Sequence, residues 1–343
     1  MRRFAVIVAL CLLAGCGSSG HRRAGEARRA PAPRVAAQPA APVASARPHV
    51  LAATEALVTA ETENRLVLVN LRRGRVLRSV PLPADSEYVD ATRRVVIAVS
   101  PAGTVTLLER SSLRPLKVFG GFASPHIPAI SPDGAYAYVT DDARGTLTTI
   151  RLGDDVVTST LFVGDGAHHM GISPDGRALW VALGQAASKI VLLDSSDPAR
   201  PRVTGAFDPG FLAHAVLFTP DGGRVWVTSA QGSEVGVFTA AGHRLLFRVA
   251  GGAPPQHIAF TASCAYVTSG YGSTIERVSL ATGRVLRRVG APYGSFELDV
   301  GGGFVVAASL LRGTLAIYDD RLDRERTLAI APATEDVAIP PAR

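Results

Sequence analysis

Apolar and polar residues alternate in short runs along most of the chain. Ala135–Thr140, Ala178–Ala182, Arg224–Thr228 and Ala265–Thr268 are four such runs, built from aromatic, β-branched and small residues. Alternation over so few positions predicts strands rather than helices. Three of the runs follow a Pro-Asp-Gly triplet: Pro132-Asp133-Gly134, Pro174-Asp175-Gly176 and Pro220-Asp221-Gly222. Proline presets the first turn position, aspartate can bond its own backbone, and glycine accepts a positive φ. Each triplet therefore predicts a tight hairpin turn. One full set of four predicted strands is His126–Ser131, Ala135–Thr140, Thr146–Arg151 and Val156–Leu161.

The set repeats, with weaker copies on both sides. One equivalent position per copy is Val58, Ala98, Val139, Val181, Val227, Val267 and Ala307, at spacings of 40, 41, 42, 46, 40 and 40. Seven copies of about 41 residues, each with four short strands, predict an all-β seven-bladed β-propeller. An open stack would leave long sheet edges at both ends. Closure is expected instead. The first copy starts at Glu55–Ala60, the place of a second strand, and the last ends at Asp336–Ile339, the place of a first strand. The C-terminal strand is thus expected to complete the first blade.

The repeat resembles the YVTN-type β-propeller family. The likeness rests on Tyr138-Val139-Thr140, Tyr266-Val267-Thr268, the Ser-Pro-Asp-Gly turns at 131–134 and 173–176, and Val163-Gly164, and it covers roughly residues 52–340. The Asn common after the Tyr-Val pair is missing, and copies one, two, six and seven are degenerate. The resemblance implies the fold. It implies little about activity, because one fold hosts many.

The N-terminal 50 residues have a different character. Met1-Arg2-Arg3 precedes an apolar run from Phe4 to Ala14. Eleven residues are too few to span a bilayer, which takes about 20. The run ends in Leu13-Ala14-Gly15-Cys16, which looks like a bacterial lipobox. Residues 1–15 are therefore expected to be a lipoprotein signal peptide. Residues 16–50 are expected to be a lipidated Cys16 with a disordered Ala/Pro/Arg-rich tether, and residues 51–343 the propeller. The tether holds few large apolar side chains to offset its ordering entropy. These expectations place the protein outside the cytoplasm, on the outer face of the cell membrane, or on the periplasmic side or outer membrane in a Gram-negative source. Only Cys264 then stays free, expected as a small buried hydrophobe, and no intrachain disulfide is predicted.

Charge follows the same division. The 343 residues carry a net +7. Residues 1–50 hold eight of the 36 Lys and Arg but one of the 29 acidic residues, Glu26, and so account for the whole excess. A charge-balanced propeller has no electrostatic footprint for nucleic acid. The basic tether suits anionic lipid headgroups.

Candidate chemistry sits at one place in the repeat. His126, His168, His214, Gln256 and Phe296 lie four residues before the inner-strand ends Ile130, Ile172, Phe218, Phe260 and Val300. Three residues before those ends come Ile127, His169, Ala215, His257 and Glu297. The degenerate copies offer Glu87, and Glu335 or Asp336, near the same point. In a propeller these positions begin the innermost strands and converge on one mouth of the channel. Imidazole suits Zn, Cu, Ni and Fe, and carboxylates can complete a shell. His126, His168, His169, His214, His257, Glu297 and Asp336 are therefore candidate ligands, with Cu or Zn as the candidate metal. The alternative role is structural: capping inner strands, bonding a neighbouring blade or lining a wet channel. His21 and His49 are expected to be solvated, and His243, in the predicted turn Ala241-Gly242-His243, is expected to have no functional role. Tyr138, Trp180, Trp226 and Tyr266 are expected to pack between blades. Asp141-Asp142, Asp154-Asp155 and Asp319-Asp320 are expected to be exposed turn charges, with calcium binding to one conceivable.

No phosphate loop, nucleophile elbow, paired-cysteine metal site or c-type haem motif occurs. The leading expectation is a monomeric, membrane-tethered, non-enzymatic binding module for a protein or small ligand. The second is a metal- or cofactor-binding propeller, redox or lactonase-like, that uses the histidine ring.

Overall fold

The computed structural model describes residues 36–39, 52, 54–252 and 254–341. Within them the chain forms seven antiparallel sheets, each built on a four-stranded blade, and blade 2 carries Ala36–Pro39 as a fifth strand. This is an all-β seven-bladed propeller. Blade 3 shows the unit: Pro125–Ile130, Tyr136–Asp141, Thr146–Arg151 and Val156–Phe162, from the channel outwards. Blade 1 draws on both ends of the chain. Val337–Ala338 pairs with Glu55–Ala60, matching Val337 to Val58 and Ala338 to Leu57. Thr59 N–H donates to the Asp336 carbonyl at 3.1 Å, and the Asp336 N–H returns a bond to Thr59 Oγ1 at 2.9 Å. The C-terminal strand thus completes the first blade and removes two free sheet edges.

The Pro-Asp-Gly turns are built from side-chain bonds. Ser131 Oγ donates to Asp133 Oδ1 (2.6 Å), which also accepts the Ala135 N–H (2.9 Å), while Gly134 takes φ +71°. Ser173-Asp175 and Thr219-Asp221 repeat the hydroxyl–carboxylate bond at 2.5 Å. These bonds replace water on polar groups that the chain reversal leaves unpaired.

Between blades lie apolar layers. Tyr138 of blade 3 packs on Met170, Leu179 and Val181 of blade 4. Its hydroxyl reaches the Pro198 carbonyl (3.1 Å), and Tyr266 makes the equivalent bond from blade 6 to Asp320 of blade 7 (2.6 Å). Trp180 and Trp226 are likewise buried, so all four aromatics sit in inter-blade packing. Cys264 is free and buried.

Two expectations need adjustment. Ala36–Pro39, within the segment expected to be disordered, pairs antiparallel with the outer strand Pro115–Gly120 of blade 2. That strand would otherwise offer an open edge of backbone groups. Asp141 is not an exposed turn charge: it is buried and accepts the N–H groups of Ala123 and Ser124. The ring of His243 stacks on Phe207 at 5.3 Å and lies edge-on to Trp180. His21, His49, Cys11 and Cys16 lie outside the described residues. Among the described residues, no helix is long and apolar enough to cross a membrane.

Candidate metal centre

Strand register fixes two rings at one mouth of the channel. Pairing of each inner strand with its neighbour aligns Glu335, Glu87, His126, His168, His214, Gln256 and Phe296 around the rim. One residue deeper come Asp336, Tyr88, Ile127, His169, Ala215, His257 and Glu297. The threonine one residue before the end of the second strand sets where these residues start. Thr140 Oγ1 donates to the His168 carbonyl (2.6 Å), Thr228 to that of Gln256 (3.0 Å) and Thr268 to that of Phe296 (2.5 Å). Thr59 does the same for Glu87 at 2.7 Å. The last residue of the Tyr-Val-Thr motif therefore pins the mouth of the following blade. Gly171 adds a close approach: a Cβ there would come within 2.3 Å of the Val216 carbonyl oxygen. Blade 4 can thus press its inner strand, and His169 with it, against blade 5.

The histidines form an arc over blades 3 to 6. His126 stacks on His168 with ring centroids 3.9 Å apart, and His169 lies 4.2 Å from His214. His126, His168 and His169 can each offer one nitrogen such that all three lie within 4.8 Å of one another. Zinc–imidazole bonds of about 2.0–2.1 Å ask for only a small closing movement from there. Three histidines placed in this way could hold a metal ion. His168 Nδ1 donates to Asp142 Oδ2 at 2.9 Å, which orients the ring. His126 Nε2 and His214 Nδ1 are buried without a hydrogen-bond partner. A lone pair left unmatched in this way is costly unless something fills the site.

Electrostatics agree with that use. Burial and the neighbouring imidazoles hold His126 and His169 well below the ordinary imidazole range. Burial and His168 bring His214 down to about 4, although Glu297 opposes them. These three rings are neutral at pH 7, the state that binds metal.

The rest of the rim is acidic. His257 lies 6.2 Å from His169 but turns to Glu297, with Nδ1 touching Oε2 at the seam between blades 6 and 7. The contact is a close ion pair without aligned hydrogen-bond geometry. Burial alone would discharge His257. Glu297, backed by Asp336 and Asp299, outweighs it and lifts the ring to about 9. Burial would likewise raise Glu297, yet His257 holds it below its ordinary value. Across blades 1 and 2, burial and mutual repulsion push Glu335 and Asp336 well up and Glu87 to about 7. Asp336 also has structural work: its carboxylate accepts the N–H groups of Val89 and Val337. Of the seven candidates, His126, His168 and His169 gather with His214 beside them. His257 and Glu297 form a separate pair, and Asp336 joins the acidic side.

Several residues of the site carried no signal that was read in the sequence. Asp142 passed for a turn charge. Tyr88 lies edge-on to His126 at 4.5 Å. Asp90 and Asp299 line the cavity of about 410 Å3 below the mouth, together with His169, His257 and Asp336. Burial raises Asp90 to about 7 and Asp299 to about 6. The period of two could have found them, since each lies two residues beyond the deeper ring position and so on the same strand face.

No protein-family model matches the chain, and no curated protein matches it in sequence. Solved structures do. A protein of unknown function from Desulfotomaculum acetoxidans superposes with a TM-score of 0.75 at 18% identity, over 84% of this chain and all of that one. The likeness is one of fold. A putative 6-phosphogluconolactonase from Bacteroides fragilis gives 0.69 at 16% identity, over 83% and 97% of the two chains. The dihydro-heme d1 dehydrogenase NirN gives 0.64 at 14%, over 88% and 79%.

Proposed function

We propose that this protein is a non-enzymatic metal-binding propeller, carried outside the cytoplasm on a tether lipidated at Cys16. The observation behind the metal is the group His126, His168 and His169, with nitrogens within 4.8 Å and His168 oriented by Asp142. An all-imidazole set selects late first-row ions over Ca2+ or Mg2+, which prefer oxygen. Zn2+ and copper are the expected occupants. The lipobox and the Arg-rich segment support the tether.

Elemental analysis after exposure to Zn2+ or Cu2+ and desalting tests the metal. About one ion per chain is expected, lost on changing His126, His168 and His169 together to Ala. Protein that stays metal-free after reconstitution with Zn, Cu, Ni and Fe overturns the reading. A second reading, an enzyme that works through the bound metal, has one observation in its favour: the cavity of about 410 Å3 opens beside His169 and His257. Turnover of a lactone or a redox dye by the metal-loaded protein alone would select it.

A further inference from the structure

An ion held only by His126, His168 and His169 would keep a coordination position for water. The ring sets one more imidazole beside it. His214 stands on blade 5, next to blade 4, with its ring centre 4.2 Å from that of His169 and 5.3 Å from that of His168. Its Nδ1 is buried and makes no hydrogen bond. A lone pair taken out of water in this way costs stability unless something accepts it.

The backbone aims His214 there by an irregularity. Ala213 pairs with Ser229 and Val216 with Val227, so three steps of the inner strand cover two of its neighbour. His214 and Ala215 therefore form a β-bulge. The same slip falls at His126 on blade 3, where Pro125 pairs with Asp141 and Pro128 with Val139. A bulge takes a side chain out of strict alternation and re-aims it. Thr228 Oγ1 fixes the bulge of blade 5 by accepting the Ala215 N–H at 2.8 Å.

Ring spacing agrees with one shared ion. A zinc–imidazole bond of about 2.0–2.1 Å puts the ring centre about 3.2 Å from the metal, and two rings at a tetrahedral angle are then about 5 Å apart. The centres of His126 and His168 are 3.9 Å apart, those of His126 and His169 5.1 Å, and those of His168 and His169 4.7 Å. His214 adds its 4.2 and 5.3 Å to that set. His126, His168 and His214 hold the rim position of consecutive blades while His169 lies one residue deeper, so the four do not share one level. His257 stays outside, 6.2 Å from His169 and turned to Glu297.

We infer that His214 is the fourth ligand, a step that rests on the metal reading, and that the four imidazoles close the shell of an ion such as Zn2+. Structural zinc sites are four-coordinate and closed, whereas catalytic ones keep a position for water. A closed shell leaves no metal-bound water to attack a substrate, so the ring retains its ion rather than reacting through it. The cavity of about 410 Å3 beside His169 then meets no open position on the metal.

Co2+ in place of Zn2+ tests the assignment on the full chain, purified without a His tag. The parent is expected to bind Co2+ with the strong visible absorption of a four-coordinate site, unchanged by azide. His214→Ala is expected to weaken those bands and to admit azide to the ion. Its Co2+ affinity in chelator competition should fall by more than the roughly tenfold lost with an outer-shell partner. Added imidazole should fill the vacated position and restore the parent spectrum, which a merely structural role for His214 would not allow. The azide result on the parent needs no variant, so it decides the matter even where His214→Ala does not fold. A parent that retains neither Co2+ nor Zn2+ overturns the metal reading and the fourth ligand with it. A parent whose bound Co2+ takes azide, a spectrum that His214→Ala leaves unchanged, or variant bands that imidazole does not restore overturn the fourth ligand alone. The site of three histidines then stands.

Discussion

One mouth of this propeller carries two unlike halves on the same backbone. Over blades 3 to 5 the rim holds His126, His168, His169 and His214, with the first, third and fourth kept neutral by burial and by each other. Over blades 7, 1 and 2 it holds Glu297, Glu335, Asp336, Glu87 and Tyr88, a set of acids and a phenol raised by burial and repulsion, apart from Glu297. His257 joins Glu297 where the halves meet. Strand register is equivalent in both halves, so side-chain chemistry alone makes one side a lone-pair donor and the other a store of protons. Neutral imidazoles crowded together lose little, because no charge is buried. Carboxylates crowded together must keep protons or attract cations.

The sharpest break in this comparison is removal of the donor side. Changing His126, His168 and His169 together to Ala is expected to abolish metal retention in a dialysis assay. Glu87→Gln with Glu335→Gln should leave stoichiometry intact. If the acidic pair matters as much as the histidines, the two halves are one site and the division is wrong.

The seam comes next. Glu297→Gln leaves His257 deep in the ring without its counter-charge. The cost is expected to be about 1–3 kcal/mol at pH 7, below the 3–5 of a fully buried pair because His257 keeps 21% of its side chain open to solvent. The sign follows from linkage. His257 has a folded pKa raised to about 9, so its contribution is complete below the unfolded value near 6.5 and disappears as pH rises through 9. Glu297, held low, contributes above its unfolded value and loses that in acid. Thermal melts of parent and variant should differ most between about pH 5 and 7 and converge by about pH 10.

Within the donor half, Asp142→Asn tests whether His168 is oriented or merely nearby. Losing a carboxylate behind a ligating imidazole weakens metal binding by roughly 10–100-fold. Competition with a chelator of known affinity measures it, and an unchanged constant would remove His168 from the set.

The smallest effect lies deeper on the acidic side. Asp90, raised to about 7 by burial, favours its neutral form in the folded chain. Such a carboxyl costs stability as pH rises from about 4 through 7, where the unfolded chain ionises first. Asp90→Asn keeps an oxygen for the Ala91 N–H, bonded at 2.6 Å, and removes that cost. The variant is expected to be more stable by about 1–2 kcal/mol at pH 8, after discounting for water in the channel, and equal to the parent at pH 4.

Much of the architecture was legible before any coordinates. A period near 41 residues announced the blades, Pro-Asp-Gly announced the hairpins, and the offset of first and last copies announced the closure through Val337–Ala338. The histidines were legible as a recurring position. Their partners were not. Asp141 and Asp142 look alike in sequence, but one is buried on the backbone of Ala123 and Ser124 and the other holds His168. The role of Thr140 was equally hidden, since its hydroxyl acts 28 residues away.

Strand and turn are decided within a few residues by side-chain alternation and by φ preferences, so the sequence by itself determined the blades, their number and the order of ring closure. The tertiary structure decided which imidazoles meet. His126 and His168 are 42 positions apart in the chain, and their 3.9 Å stacking depends on ring curvature and on the threonine bond from Thr140 of blade 3 to the His168 carbonyl of blade 4. It also decided the charges. Whether a histidine is neutral or cationic depends on how much water and which neighbours surround it, and blades far apart in the chain supply both.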